Sequence, residues 1–522
     1  MPHSQSMTFL MVEADRSRLR VLYDFLFRHV SSLRPVAPEI IRAVPARQAL
    51  RGFARPLRGG RRDPHHLSYP TSRISTFWSH SWHGNKWLKA LTALWLYNSL
   101  PATCVSTLGA LAAAGLYAVG VLPGLDYWDT YAYPRSFWAS AVGLVLYSID
   151  QRDPARKAAG ILSLGAFLRC SESMLVLWDP TYTHRLWCIF ELSGYLHTRE
   201  GAEHHLVVRP VLLGPCYLLL TLALASTTFA VGSIPEENKV VLWLTQAVIL
   251  TVGFYPSVVS YRHDFRALED LRGDLEGFTL RGTECECCRL DHVKNGRRIS
   301  CDREVVLRCL TSWFGSTENF EELVRSEVLH TLMHELSTEF FRYKRCIPPL
   351  IPVAWSYLDT ASAEARKHWG TGFSHFTEVT KELVRGFAWW LCVVPSILLV
   401  FLRLAYCLRA RPSTPCCDWA VNALILLCIV AMFVAAVQLE FACMLVHDAV
   451  IPWNWYFRGL HVAMLFFASL CLPLAVLLFQ CVHPRYNRLG APSAPSAPSA
   501  PSAPSAPSAP SAPSAPRATI QL

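Results

Sequence analysis

Residues 171–192 read Ser-Glu-Ser-Met-Leu-Val-Leu-Trp-Asp-Pro-Thr-Tyr-Thr-His-Arg-Leu-Trp-Cys-Ile-Phe-Glu-Leu. Met174 to Trp178 is an unbroken apolar run of strand length closed by Asp179-Pro180, which suits a parallel strand buried on both faces. Leu186, Ile189 and Leu196 then fall on one helical stripe. The same pattern extends outward. Ile74 to Trp78 reads as a strand ending in Ser79-His80-Ser81-Trp82, with Gly84 and Asn85 as punctuation and a helix over Lys86 to Asn98. Val142 to Ile149, apolar up to Asp150-Gln151, reads as a second strand. A helix carrying Ile161, Leu164 and Leu168 precedes the strand at 174–178, and Leu206 to Val208 reads as a fourth. Strands alternating with helices predict a parallel, doubly wound α/β sheet. Sites in that class lie beyond the carboxyl ends of the strands, here His80–Trp82, Asp150–Asp153 and Trp178–Tyr182.

Longer apolar runs point elsewhere. Crossing a hydrocarbon core of about 30 Å takes roughly 20 apolar residues as a helix. Residues 210–235, 240–261, 419–439 and 462–482 carry no charge, and 386–402 extends to Leu408 if Arg403 snorkels to the interface. With 52% hydrophobic residues and a mean hydropathy of +0.25, the expectation is a multi-pass integral membrane protein embedded in a lipid bilayer. A further run, 101–125, is also uncharged. If it crossed once, the strands on either side of it would lie on opposite faces of the membrane and could not pair. It is therefore expected to be a re-entrant or interfacial hairpin bent at Gly109, Gly115 or Gly120, or else the sheet is incomplete. Without it the count of crossings is odd, which places the tail opposite the α/β region.

The predicted organisation of the 522 residues follows. Residues 1–72 form a disordered basic arm, with twelve arginines between Arg16 and Arg62 and no apolar stretch of the kind a cleavable secretory signal needs. Residues 73–209 form the α/β domain with an apolar insertion at 99–135. A transmembrane hairpin occupies 210–261, a polar and mainly helical domain 262–385, and three transmembrane helices 386–482. Residues 483–522 are a disordered tail whose Ala-Pro-Ser repeat, 491–516, reads as an extended spacer. The net charge is +10, and no nucleic-acid partner is expected.

The 18 cysteines do not form the framework of a small secreted domain and read mostly as reduced, small apolar side chains. Five candidate metal ligands, Cys285, Cys287, Cys288, His292 and Cys301, nevertheless lie close together. Thiolates with an imidazole suit zinc, though the Cys-x-Cys-Cys spacing is not that of common zinc ribbons, and reduced cysteines near a membrane surface or palmitoylation are the favoured alternatives. Ser316-Thr317 with Glu318 marks a helix start, and the helix is expected to run to about Arg345. Its His330 and His334, four apart, read as a solvated or packed helix face. The apolar runs carry no repeated halves and no filter-like motif, which leaves a transporter or channel as an unsupported alternative.

Phe77-Trp78-Ser79-His80-Ser81 resembles the first-strand motif of Toll/interleukin-receptor (TIR) domains, and Ser171 to Leu192 resembles their third strand and following helix. Residues Asp150 to Lys157 fall where those domains carry their BB loop. The wider arrangement looks like multi-pass proteins of unicellular algae. The resemblance implies a TIR-like, flavodoxin-like parallel sheet fused to a helical transmembrane region. Some TIR domains self-associate and recruit TIR partners as scaffolds; others are NAD nucleosidases. For the latter, the resemblance places a catalytic carboxylate at Glu191, with Trp187, Ser79, His80 and Asp150 around NAD. Chain entry into an apolar run at Pro210 implies a truncated domain. The leading expectation is a membrane-anchored signalling or scaffold protein with a cytosolic TIR-like domain.

Overall fold

A computed structural model describes residues 68–124, 136–148, 164–199, 205–233, 239–294, 297–298, 301–339, 341–367, 373–412, 414–450 and 462–481, with scattered positions between 23 and 54. All belong to one compact unit within Met1–Pro484. Most of the basic arm, the Asp150–Lys157 loop and the Ala-Pro-Ser tail lie outside the described residues.

Three of the expected strands form. β1 (Ile74–His80), β2 (Ser171–Trp178) and β3 (Leu206–Pro210) make a parallel sheet in the order β1-β2-β3. Trp78 pairs with Leu175, and Leu175 with Val207. The central strand is apolar on both faces because both are covered. Leu175 and Leu177 pack with Ala90, Ala93 and Leu94 of helix α1 (Lys86–Ala118). Met174, Val176 and Trp178 join the main core, which also holds Leu186, Ile189 and Phe190 of the helix Leu186–His197.

The expected second strand does not form. Val142 to Ser148 falls in helix α2 (Trp138–Ser148), so the sheet has three strands among the described residues. An apolar run of this length does not by itself separate strand from buried helix, and distant contacts decide. α2 lies along α1, where a Cβ on Gly109 would come within 2.2 Å of Leu146 Cδ1, and Gly143 backs onto the Trp355 indole. The expected end of α1 at Asn98 is corrected too. Asn85 caps the helix by accepting from Trp87 N at 2.9 Å, and the helix then continues through Pro101 to Ala118. The run 101–125 thus belongs to an α1–α2 hairpin whose outer end is tied where Trp138 Nε1 donates to Pro123 O at 2.9 Å. β1 and β2, on either side of the hairpin, pair directly.

Helix α3 (Leu164–Cys170) leads into β2, and Leu186–His197 is α4. After β3 come α5 (Leu213–Ser233) and α6 (Lys239–Glu276). Next are α7 (Asp302–Phe314), α8 (Thr317–Leu323) and α9 (Leu329–Glu339), the last two joined by a π turn over Val324–Val328. Ser316 caps α8 as expected, accepting from Asn319 N at 3.0 Å. The chain closes with α10 (Ile351–Lys367), α11 (Phe373–Ala388), α12 (Val394–Cys407), α13 (Pro415–Val450) and α14 (Val462–Cys481).

Among the described residues, five helices are long and apolar enough to cross a membrane: Lys86–Ala118, Leu213–Ala230, Phe376–Cys407, Pro415–Leu445 and Ala463–Gln480. The expected run 240–261 lies in α6, many of whose apolar side chains fall outside the description. At 38 residues, α6 is about 57 Å long, well over the roughly 30 Å of a hydrocarbon core, and its second half is polar. There Arg262, fully buried, donates to Leu408 O at 2.8 Å and pairs with Asp418 Oδ1 at 2.8 Å.

The polar region 262–385 packs directly on the sheet. Phe190 of α4 meets Trp313 of α7 at 5.4 Å, and Arg209 of β3 pairs with Glu335 of α9 at 3.4 Å. One continuous core links β2, α4, α5, α6, α7 and α12. α10 also has company: it runs beside α1, α2 and α5, and Arg366 near its end donates to Leu122 O at 2.9 Å.

Candidate functional site

The Asp179-Pro180 turn ends β2 and brings Thr181 and Tyr182 beside the end of β1. Ser79 Oγ donates to Glu191 Oε2 at 2.5 Å and lies 2.8 Å from Tyr182 Oη. A serine has one hydroxyl proton, so the tyrosine is the donor and the chain runs Tyr182 to Ser79 to Glu191. Burial pushes the Tyr182 phenol well above its ordinary pKa, and neighbouring Cys188 and Glu191 push the same way; it stays a donor. Two residues after Ser79, Ser81 Oγ meets Thr181 Oγ1 at 2.7 Å, and Thr181 N donates to Asp179 Oδ1 at 2.9 Å. Asp179 Oδ2 pairs with Lys89 Nζ of α1 at 2.9 Å, both side chains being about as buried as core leucines. Lys89 also donates to Ser81 O.

The structure therefore unites Ser79 and Glu191. His80 sits next in the strand with its ring edge-on to Trp82 at 4.5 Å. Trp187 faces α7: its Nε1 donates to Asp302 Oδ2 at 3.2 Å, and its ring meets Phe190 at 5.4 Å. Asp150 lies outside the described residues. A cavity of about 10 Å³ lined by Val176, Tyr182, Ile189 and Leu275 has room for about one water. Sequence reasoning missed Lys89 and Asp302. Lys89 carried one signal, a second cation one turn into a helix that is uncharged from there on.

The cysteine segment docks on the same unit. Leu186 N donates to Glu284 O at 3.1 Å and Glu284 N to His184 O at 2.5 Å. From there the chain forms a short helix, Glu286–Arg289, and turns through Asp291 and His292, both left-handed at φ 53° and 57°. That turn is reached at a steric cost for residues with a Cβ, and it folds His292 back toward Cys288. Cys301 is the N-cap of α7. Four of the five predicted ligands, Cys287, Cys288, His292 and Cys301, have their ligand atoms within 4.8 Å of one another; Cys285 falls in a second group with Cys287 and Asp302. Hydrogen bonding with Cys285 holds the Cys287 thiol up at about 12, and bonding with Cys287 together with burial does the same for Cys301. His330 and His334 are exposed, with rings stacked at 6.4 Å.

Comparison with models of known protein families, with curated proteins and with solved structures finds no match to this chain.

Proposed function

We propose that this chain is a multi-pass integral membrane protein whose α/β sheet serves as a TIR-like signalling or scaffold module on the cytosolic face. The observation that carries the reading is the mutual engagement of the groups at the strand ends. Tyr182, Ser79 and Glu191 form one hydrogen-bonded chain, and Lys89 pairs with Asp179. These contacts join β1, β2, α1 and α4, so the polar groups serve to hold a module together. The motifs at 77–81 and 171–192, on adjacent parallel strands, support the TIR likeness.

The membrane reading rests on the five long apolar helices and adds one crossing that hydropathy does not reveal. α10 starts beside the sheet end of α5 and ends against Leu122 at the outer end of α1. It is polar enough to escape a hydropathy scan but lies among apolar neighbours. With α10 paired to α11–α12, the crossings run out and back. α14 then returns toward Tyr343, whose ring meets Phe479 at 5.0 Å. The end of α14 thus lies on the side of the sheet.

The test uses two differently tagged full-length copies expressed together. Both should stay with the membrane pellet after alkaline carbonate and co-purify in detergent, and replacing 150–157 with a Gly-Ser loop of equal length should lower co-purification. Equal recovery of intact and loop-replaced chains would sink the scaffold reading. A second reading, NAD cleavage, is favoured by the half-buried Glu191 at the carboxyl end of the sheet. Consumption of NAD by the purified chain that is lost in Glu191→Ala would install it instead.

A further inference from the structure

In the four-ligand group at 287–301, whose ligand atoms all lie within 4.8 Å of one another, the three edges from Cys288 have the length of those around a bound metal. Cys287 Sγ lies 3.9 Å from Cys288 Sγ, Cys288 Sγ 3.8 Å from Cys301 Sγ, and Cys288 Sγ 3.7 Å from His292 Nε2. A tetrahedral ion with metal–sulfur bonds of about 2.3 Å has sulfur–sulfur edges of about 3.8 Å, and sulfur–nitrogen edges about 0.2 Å shorter. The three cysteines are in no disulfide, and the left-handed turn at 291–292 delivers the imidazole. The outer contacts are also those of a ligand set. Asp302 N donates to Cys287 Sγ at 3.2 Å, the kind of N–H to sulfur contact that steadies a thiolate.

We propose that Cys287, Cys288, His292 and Cys301 bind one structural Zn²⁺. Three thiolates and one imidazole suit zinc over harder divalent ions, and four protein ligands leave no open position for substrate. Cys285 stays outside the site. Its sulfur is 3.0 Å from that of Cys287, closer than a shared tetrahedral edge, and the Asp302 carboxylate beside it already accepts from Trp187.

The ion would do more than close a loop. Its ligands join the short helix after Glu284, itself bridged to the start of α4, to the N-cap of α7. From the same point Trp187 Nε1 of α4 reaches Asp302, and Cys301 N donates to Tyr23 Oη at 2.7 Å. The site therefore pins α7 and a part of the N-terminal arm onto α4, on the face of the sheet opposite α1. This reading does not depend on the sheet being a TIR-like module.

The experiment is metal analysis of the full-length chain, purified in detergent without a histidine tag. About one zinc per chain is expected. Cys288→Ser and His292→Ala should lose it, His292→Cys should keep it as a four-thiolate site, and Cys285→Ser and Cys309→Ser should keep it. Chelation should open 289–301 to protease. A chain that holds no zinc and takes up neither Zn²⁺ nor Co²⁺ overturns the proposal, as does loss of zinc in Cys285→Ser equal to that in Cys288→Ser. Should Cys288→Ser fail to fold, Co²⁺ in the unaltered chain decides: intense tetrahedral bands with thiolate charge transfer support the site, and weak octahedral bands overturn it.

Discussion

The Asp359 carboxylate of α10 accepts from the backbone N–H of Ala139, in the first turn of α2, at 2.9 Å across 220 residues of sequence. Ser136 Oγ donates to the same oxygen, and Ser140 donates to the other through both N and Oγ. α2 thus receives its N-cap from another helix. The first-turn N–H groups of a helix lack intrahelical partners, and α2 lies among apolar helices where water cannot serve them. The apolar hairpin is held in place by a buried acid in α10.

Removing that acid should loosen the hairpin. Asp359→Ala orphans two backbone N–H groups and two hydroxyls, and a cost of about 2–4 kcal/mol is expected from lost capping and buried unsatisfied donors. The thermal unfolding midpoint of the detergent-solubilised chain should fall, and Asp359→Asn, which keeps an acceptor, should fall less. Equal midpoints in all three would show that the cap contributes nothing.

How far the sequence reveals all this depends on the range of the deciding contacts. β2, its Asp-Pro turn and α4 are legible because strand length, turn chemistry and helical stripe are local. The same is true of the caps Asn85 and Ser316. Val142 to Ser148 is misread as a strand because Trp355, the ring that Gly143 packs on, is more than 200 residues away. The part played by α10 is hidden for a related reason: Asp359 reads as a solvent-facing acid until Ser136, Ala139 and Ser140 are seen around it. At the cysteine cluster residue type marks the chemistry, but spacing does not say that Cys285 is the sulfur left out.

Ser79→Ala tests the strand-end network. It removes the donor to Glu191 and the acceptor for Tyr182 at once, so about 1–3 kcal/mol of destabilisation is expected. Under the scaffold reading, NAD consumption stays at the level of empty detergent for parent and variant alike. A parent rate above that level that Ser79→Ala abolishes would count for the enzyme instead.

Gly214→Ala tests the approach of α5 to α1. A Cβ there would lie 2.5 Å from Thr92 Cα and 2.7 Å from Leu91 O. Both are backbone atoms, which cannot swing away. Thr92 Oγ1 also bridges this contact, donating to Val211 O at 2.6 Å and accepting from Gly214 N at 3.0 Å. Overpacking of this kind costs about 1–3 kcal/mol, and the unfolding midpoint should drop although the added group is one methyl. An unchanged midpoint would mean that the two helices slide freely.

Lys89 and Asp179 offer the sharpest contrast between breaking a buried pair and replacing it. Their side chains are 2% and 5% exposed, so either charge left alone has no water to turn to. Lys89→Met strands the Asp179 carboxylate and should cost about 3–5 kcal/mol. Lys89→Met with Asp179→Asn removes both charges while the amide oxygen still accepts from Thr181 N, and most of the loss should return, since a buried pair gains little net stability over neutral, well-packed groups. The measurement is a double-mutant cycle on unfolding midpoints, with Asp179→Asn as the fourth corner. If the double variant is as unstable as the two singles added together, the pair is not coupled, and the turn at Asp179-Pro180 is held by Thr181 alone.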